Sequence, residues 1–570
     1  MSVFNSVLGN KVGRSVFDLS HVKRFTCDMG QLIPVYFDEC VPGDTRKIGM
    51  QCVTRFQPLV APILDSVDLT VHYFFVPTRL LMDKEEDWNT FLTGGKDGTD
   101  ESVTLPLWSF RNYDGSSTSG LSFPFSNGSR YAKYSLWDYF GLPLVHDSSK
   151  GDMAPYISES CHVLGFAERA YNLVFNEFYR DENIVDPVDL KNATLLYRSW
   201  KKDYFTSALP WQQRGIAPAL PLSGTIPVTM SGLTFSDLAF TPSSSYVPED
   251  AKPISLEMRG PSSDMITNVN GAGFVAHKAW SQSPSASVTM SSGSMNVVNA
   301  TGNADLSNAA TFDVATLRQC VQIQRWLELN ARGGVRYTEF LRSHFGISPK
   351  DEVLGRPQYI GGTKSSIVIS EVLQTSRTED STETQKGSPL GRLAGPGLGA
   401  SSDYICTYTA KEFGYIIGIA SWMPKPSYQQ GVNRIFSRKT KFDFYFPEFA
   451  HLSEQAVTNG EIFATGTAKD SEIFGYQSAY NEMRYTPSFN CADMRDTFSY
   501  WHLGRIFDNA PQLNAGFLTT NPAYDGGIRK DIFASPNEPG LLVQFANIVK
   551  AIRPLPVYGT PGFVDHVGRM

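Results

Sequence analysis

Apolar and polar positions alternate most cleanly between Ser66 and Pro77, where Val67, Leu69, Val71, Tyr73 and Phe75 interleave with Asp68, Thr70 and His72. A period of two predicts a half-buried strand, with His72 on its solvent face. The preceding run repeats the pattern, setting Ile48, Met50, Cys52, Thr54 and Phe56 against Lys47, Gln51 and Arg55. Two such strands predict an antiparallel sheet. The connection from Gln57 to Pro62 carries prolines, which cannot donate to a ladder, so it is expected to cross between sheets and not to close a tight hairpin. Further on, FGYIIGIASW (413–422) is apolar or small on both faces and predicts a central strand. Phe442, Phe444 and Phe446 alternate with Lys441, Asp443 and Tyr445, a further strand, and Leu541, Val543 and Phe545 mark the last one.

Between these strands the period changes to that of a helix. Residues 83–92 (DKEEDWNTFL) predict a short helix capped by Asp83, with Trp88, Phe91 and Leu92 on one side. Phe166, Ala170, Leu173, Val174 and Phe178 recur at helical spacing, as do Val314, Leu317 and Val321 beside Cys320, Ile323 and Leu327. A further helix from Tyr337 to Phe345 is stopped by Gly346. Strands at both chain ends, with helices and long loops between them, predict a mainly β fold, an antiparallel sandwich with insertions.

Composition subdivides the chain. Residues 1–40 are polar and irregular and read as an N-terminal arm; 41–224 and 312–570 carry the patterned elements. From 225 to 311 the chain turns to Ser, Gly, Ala, Thr and Asn, which marks a surface insertion, and 375–402 is a second loop of that kind. With 41% hydrophobic residues the chain can build a large core, and 47 glycines and 34 prolines point to many turns. A net charge of -7 rules against a surface that coats nucleic acid as a whole and restricts any polyanion contact to a local face. Seven scattered cysteines, none in a C-x-x-C pair, predict reduced core thiols. The N-terminus lacks the roughly 7–15-residue apolar region of a secretory signal, and no run reaches the ~20 apolar residues of a membrane span, so synthesis in a cytoplasm without membrane insertion is expected.

The candidate chemistry is that of contact, with no catalytic, cofactor-binding or metal residues assigned. There is no phosphate-binding glycine loop, no H-E-x-x-H and no G-x-S-x-G; Gly395, Gly397 and Gly399 lie in a loop, and paired acids such as Glu85 and Glu86 fall in polar runs. What stands out is WKKDYFTSALPWQQRG (200–215), aromatic and charged without periodicity, which reads as an ordered interface loop. Trp200, Tyr204, Phe205, Trp211, Trp422, Tyr428 and Trp501 are of the type that dominates subunit contacts, with burial inside their own subunit as the alternative for each. Arg214 and Arg332 are candidates for carboxylate pairs across such contacts. A carbohydrate-binding or glycosidase sandwich remains open, as does a phage tail or spike component.

Several stretches together resemble the major capsid proteins of the Microviridae, in particular the gokushovirus branch: FDLS (17–20), FFVPTRL (74–80), NEFYRDEN (176–183), WKKDYFTSALPWQQRG, NARGGVRYTEFLRSHFG (330–346), IASWMPKPSYQQG (419–431) and FGYQSAYNEMRYTPSFN (474–490). The resemblance implies an eight-stranded jelly roll whose copies close into a small T=1 icosahedral shell around a single-stranded DNA genome. It also implies a small basic internal phage protein as partner and a virion made in a bacterial cytoplasm. It lapses over 225–311, where this branch carries variable exterior protrusions; that insertion is expected to meet a host-cell receptor, with Phe235, Phe240, Tyr246, Phe274 and Trp280 packing where copies meet. Clustered cations in an otherwise acidic chain make Lys11, Arg14, Lys23, Arg24, Arg434, Arg438 and Lys439 the candidates for a DNA-facing surface.

Overall fold

The computed structural model describes residues 13–96, 99–109, 133–142, 144–147, 152–155, 162–218, 226–230, 300–304, 314–333, 336–347, 350–351, 354–367, 398–449 and 454–557. One compact unit comprises 1–216 with 326–570, and a second comprises 217–325. In the first unit the strands that carry the fold are β1 (Ser15–Asp18), β2 (His21–Cys27), β3 (Ile33–Cys40), β4 (Thr45–Phe56), β5 (Val67–Pro77), β6 (Gln358–Ile367), β7 (Leu398–Thr409), β8 (Gly414–Pro424) and β9 (Leu541–Arg553). They form two antiparallel sheets. In the first sheet β9 lies between β4 on one edge and β1 and β2 placed end to end on the other, and β7 closes the far side of β4. In the second, the order is β6-β5-β8-β3.

The alternation in β4 explains the packing between the sheets. Ile48, Met50, Cys52, Thr54 and Phe56 are buried while Lys47, Gln51 and Arg55 face out. The buried side meets Val67, Leu69, Val71, Tyr73 and Phe75 of β5, Trp422 of β8 and Phe545 and Val549 of β9 in one apolar cluster. At about 25 cal/mol per Å² of apolar surface removed from water, this cluster is the main stabilising term of the unit. Its buried polar groups are paired across the sheets: the Trp422 indole N–H donates to Thr54 Oγ1 at 3.0 Å, Tyr73 Oη donates to Asn547 Oδ1 at 3.2 Å, and Asn547 Nδ2 donates to the Val35 carbonyl at 3.0 Å. As expected, 57–62 links strands of different sheets.

Four expectations are corrected. The arm ends early, because residues 15–40 supply β1, β2 and β3; their alternation is short and is completed by the distant β9 and β8. β5 is buried on both faces. Its outer side is covered by α3 (Phe166–Val174) and the π-helical turn Phe175–Tyr179, and Phe74 and Val76 pack with Phe166, Ala170 and Val174. His72 is therefore no surface residue: it shares a 2.8 Å hydrogen bond with Tyr179 Oη, and burial pushes its imidazole down to about 4. Third, 441–446 forms no strand; Lys441–Asp443 and Pro447–Phe449 are single 3-10 turns, held where Asp443 accepts from the Lys439 and Thr440 N–H groups. Finally, 398–402 is the start of β7 and not loop.

The helices α1 (Glu85–Thr93), α2 (Leu136–Phe140), α3, α4 (Val314–Gly333) and α5 (Tyr337–Phe345) include all four that periodicity predicts. Lys84, not Asp83, caps α1, its N–H donating to Asp87 at 3.2 Å, while Asp83 pairs with Arg169 at 2.9 Å. α5 stops at Gly346 in the left-handed region, φ 70°, which glycine adopts without the Cβ penalty. Cys27, Cys40 and Cys52 are buried free thiols, burial raising the last two to about 11, but Cys491 is exposed and Cys161 lies outside the described residues. No helix among the described residues is long and apolar enough to cross a membrane. In the second unit Ile226–Met230 pairs antiparallel with Ala300–Ala304; Phe235, Phe240, Tyr246, Phe274 and Trp280 lie outside the described residues.

Candidate assembly surfaces

The candidate contact aromatics divide by burial. Trp422 is 0% exposed and belongs to the sandwich core. Trp200, Tyr204, Phe205 and Tyr428 are buried as well, Trp200 and Tyr428 against a guanidinium that the sequence reading missed. Arg505 is 1% exposed; it lies 4.2 Å from the centre of the Phe517 ring, 5.1 Å from Trp200 and 5.9 Å from Tyr428. Its Nη2 donates to the Phe517 carbonyl at 2.6 Å and its Nε to the Gly526 carbonyl at 2.9 Å. Tyr428 Oη donates to Asp203 at 2.6 Å, and Asp203 also accepts from the N–H groups of Phe205 and Thr206. Aromatic loops that look unpatterned in sequence are thus folded around a buried cation, whose charge the ring faces and carbonyls offset. These five side chains are buried within their own subunit, although Tyr204, Phe205 and Tyr428 still line a surface pocket.

Trp211, Arg214, Arg332 and Trp501 keep partial exposure. Arg214 stacks 5.5 Å from the Trp211 ring and donates to Asn183. Arg332, at the end of α4, pairs with Glu454 of the hairpin formed by Glu454–Thr458 and Ile473–Ser478. Trp200 and Arg332 both line a cleft of about 1210 Å³ whose floor includes Arg180, Arg198 and Arg336. There Arg336 ties α5 to the end of α3, donating to the carbonyls of Asn176 and Arg180 at 3.0 and 3.1 Å and pairing with Glu182 at 3.2 Å. Burial and the neighbouring Glu182 carboxylate push Glu339 up to about 6. The cleft's carboxylates are tied to arginines or, for Asp181, to Lys202, and among the described residues no set of three or more acids, histidines or cysteines is grouped to hold a metal ion.

The cations proposed to face DNA also divide. Lys11 lies outside the described residues. Lys23 is turned inward, donating to the carbonyls of Pro34 and Tyr139, and burial pushes its amine down to about 8. Arg434 is spent on Glu461 at 3.1 Å and Arg438 on Glu482 at 3.6 Å. Arg14, Arg24 and Lys439 are exposed.

One surface escaped the sequence reading. Ile435, Phe436, Phe442, Phe444, Tyr445 and Phe446 are all exposed, Phe436 by 82%, and so is Phe489 nearby in the fold. The available signal was density: seven apolar or aromatic residues among 435–449, interrupted by cations, cannot all be buried by a segment with no ladder partner.

Comparison with known proteins shows the family. The sequence matches the family described as capsid protein (F protein) over residues 5–563. The chain belongs to that capsid protein family. It is 33% identical to capsid protein VP1 of Chlamydia phage 1, covering 98% of this chain and 97% of that protein. It is 31% identical to capsid protein VP1 of Bdellovibrio phage phiMH2K, over 96% and 95%, and 28% identical to that of Spiroplasma virus 4, over 98% and 97%. The Microviridae resemblance therefore holds across the whole chain. The protein is a structural component of a virion, not an enzyme, and it works as an oligomer of the capsid.

Proposed function

We propose that this capsid protein closes into a T=1 icosahedral shell around a circular single-stranded DNA genome, with an eight-stranded jelly roll as the wall. The strand order carries the reading. β1 and β2 occupy one edge of β9 in succession and count as one interrupted strand, so eight positions alternate between the sheets as 1-8-3-6 and 5-4-7-2. This interleaving of both chain ends is what a double Greek key would give and supports the jelly-roll reading, an architecture that recurs in viral shells. Of the candidate cations, the exposed Arg14 and Arg24 are left for the genome, since local phosphate contacts suffice in a chain of net charge -7. A small basic internal protein of the phage would supply the remaining neutralisation, and the host cytoplasm is where the shell forms.

Residues 225–311 are the host-attachment surface. Low charge and abundant Ser, Thr, Asn and Gly offer neutral hydrogen-bonding groups and little apolar area for a wall, and Phe235, Phe240, Tyr246, Phe274 and Trp280 supply the packing where copies meet. The flanking pair Ile226–Met230 and Ala300–Ala304 returns the chain beside its departure point, so the insertion can change at small entropic cost, roughly 0.6 kcal/mol per doubling of loop length. The test replaces residues 228–310 by a short Gly/Ser linker and measures particle yield and adsorption to host cells separately. Normal particles that no longer adsorb are expected; loss of particles would place the insertion in the wall.

A further inference from the structure

We propose that the exposed aromatic surface of residues 432–446 and 483–489 seats a second copy of this chain, as a head-to-tail contact. The proposal rests on the closed-shell reading above, in which every wall surface not facing solvent or genome faces another copy.

The surface is continuous. Tyr445 packs edge-on against Tyr480 with centroids 5.2 Å apart; Arg438 lies 5.0 Å above the Phe444 ring and reaches Glu482 at 3.6 Å; and Phe436 and Phe489 rim one pocket of about 420 Å³. Phe436 is 82% exposed, Phe489 67% and Phe442 61%, and Ile435, Phe444, Tyr445, Phe446 and Met483 are exposed beside them. Taking roughly 200 Å² for a fully exposed large side chain, these residues present on the order of 1,000 Å². A standard protein interface covers about 800 Å² per partner, and monomeric proteins rarely expose patches beyond ~600 Å². The area is that of one complete interface.

The pocket says what enters it. It is lined by Tyr204, Phe205 and Tyr428, and its buried carboxylate is already matched inside the subunit: Glu461 accepts from Tyr204 Oη at 2.9 Å and pairs with Arg434 at 3.1 Å. An ionic ligand finds no unmatched buried charge there, only the exposed Arg495 at the rim, whereas an apolar side chain gains burial against three rings. Around the apolar surface the charges without an ion pair are mostly cationic, with the exposed Glu448 as an acid among them. Lys439 and Lys441 have no carboxylate partner among the described residues, and Lys441 Nζ lies 5.1 Å above the Phe442 ring. Two copies of a mainly basic surface repel, which disfavours the two-fold arrangement in which a patch meets itself. The copy must present a different face, apolar with carboxylates, and a contact between unlike faces generates rings and closed shells by rotation.

Side-chain oxidation footprinting of intact particles against dissociated subunits of the full chain tests this directly. Phe436, Phe442, Phe444 and Phe489 are expected to be labelled in the subunit and protected in the particle; equal labelling in both overturns the proposal. Protection that requires another virion protein would assign the surface to that protein and overturn the second copy as occupant. Independently, Phe436→Ala with Phe489→Ala should leave the subunit's melting temperature unchanged and raise the concentration needed for assembly by about 30-fold per ring, the factor to which ~2 kcal/mol for a buried anchor converts. Unchanged assembly would refute the contact. If the parent chain itself yields no closed particles, the shell reading fails instead, so the two failures are separable.

Discussion

Trp422 joins the two sheets, and removing that link separates a wall residue from a contact residue. The side chain is fully buried, faces Phe25 of the opposite sheet edge-on at 6.1 Å, and donates its indole N–H to Thr54 at 3.0 Å. Trp422→Ala leaves a cavity that large-to-small series put at about 3–5 kcal/mol. Trp422→Phe keeps a ring in place but deletes the donor, leaving Thr54 Oγ1 only its 3.5 Å contact with Cys52 Sγ. The hydrogen bond itself is isolated by a cycle of Trp422→Phe, Thr54→Val and the double variant, with an expected coupling of about 1 kcal/mol. Urea unfolding of the dissociated full chain measures it, as a shift in midpoint at constant slope. Strict additivity of the two single changes would refute a working bond between the sheets, and a cost below ~1 kcal/mol for Trp422→Ala would refute the burial. Trp422→Phe should assemble normally, the reverse of the behaviour expected at Phe436.

Arg505→Met should destabilise by roughly 2 kcal/mol or more, because the Phe517 and Gly526 carbonyls lose their donor and the rings lose their cation; a variant as stable as the parent would mean that the desolvation of the charge dominates. Gly418→Ala should lower the melting temperature, since a Cβ there would lie 2.7 Å from the Tyr73 ring and 3.0 Å from Tyr36 Cβ, and an unchanged melting temperature would show that the sheet yields. Glu339, raised to about 6, holds its proton more tightly in the folded than in the unfolded chain. Its contribution to stability is present below the ordinary glutamate range and lost as the pH rises through about 6, so a pH series should lose that slope in Glu339→Gln, and an identical slope in both proteins would contradict the pairing with Glu182.

The elements legible in sequence were those whose own pattern decides their state. β4 alternates without interruption, α5 ends on Gly346, and FGYIIGIASW became β8, paired on both edges. What was not legible depended on distant partners. β1 and β2 are short and polar, and become strands because β9 lies alongside them more than 500 residues later. Asp68 looks like a solvent position until Lys364 and Ser366 of the neighbouring β6 pair with it. The burial of several candidate contact residues was hidden for a related reason: tryptophan and tyrosine favour interfaces and cores alike, and only partners remote in sequence, Arg505 for Trp200 and Glu461 for Tyr204, place them inside the subunit. In 441–446 the alternation was real, but with no strand beside it the rings stayed exposed.

The central claim, a closed shell of identical subunits, is tested most directly by the mass of the particle that the purified chain forms. T=1 symmetry predicts one dominant species of roughly sixty copies of the 63.2 kDa chain, about 3.8 MDa, with icosahedral averages on imaging. A chain that remained a monomer or small oligomer under conditions where its fold is intact, or that formed open tubes of indefinite mass, would contradict it.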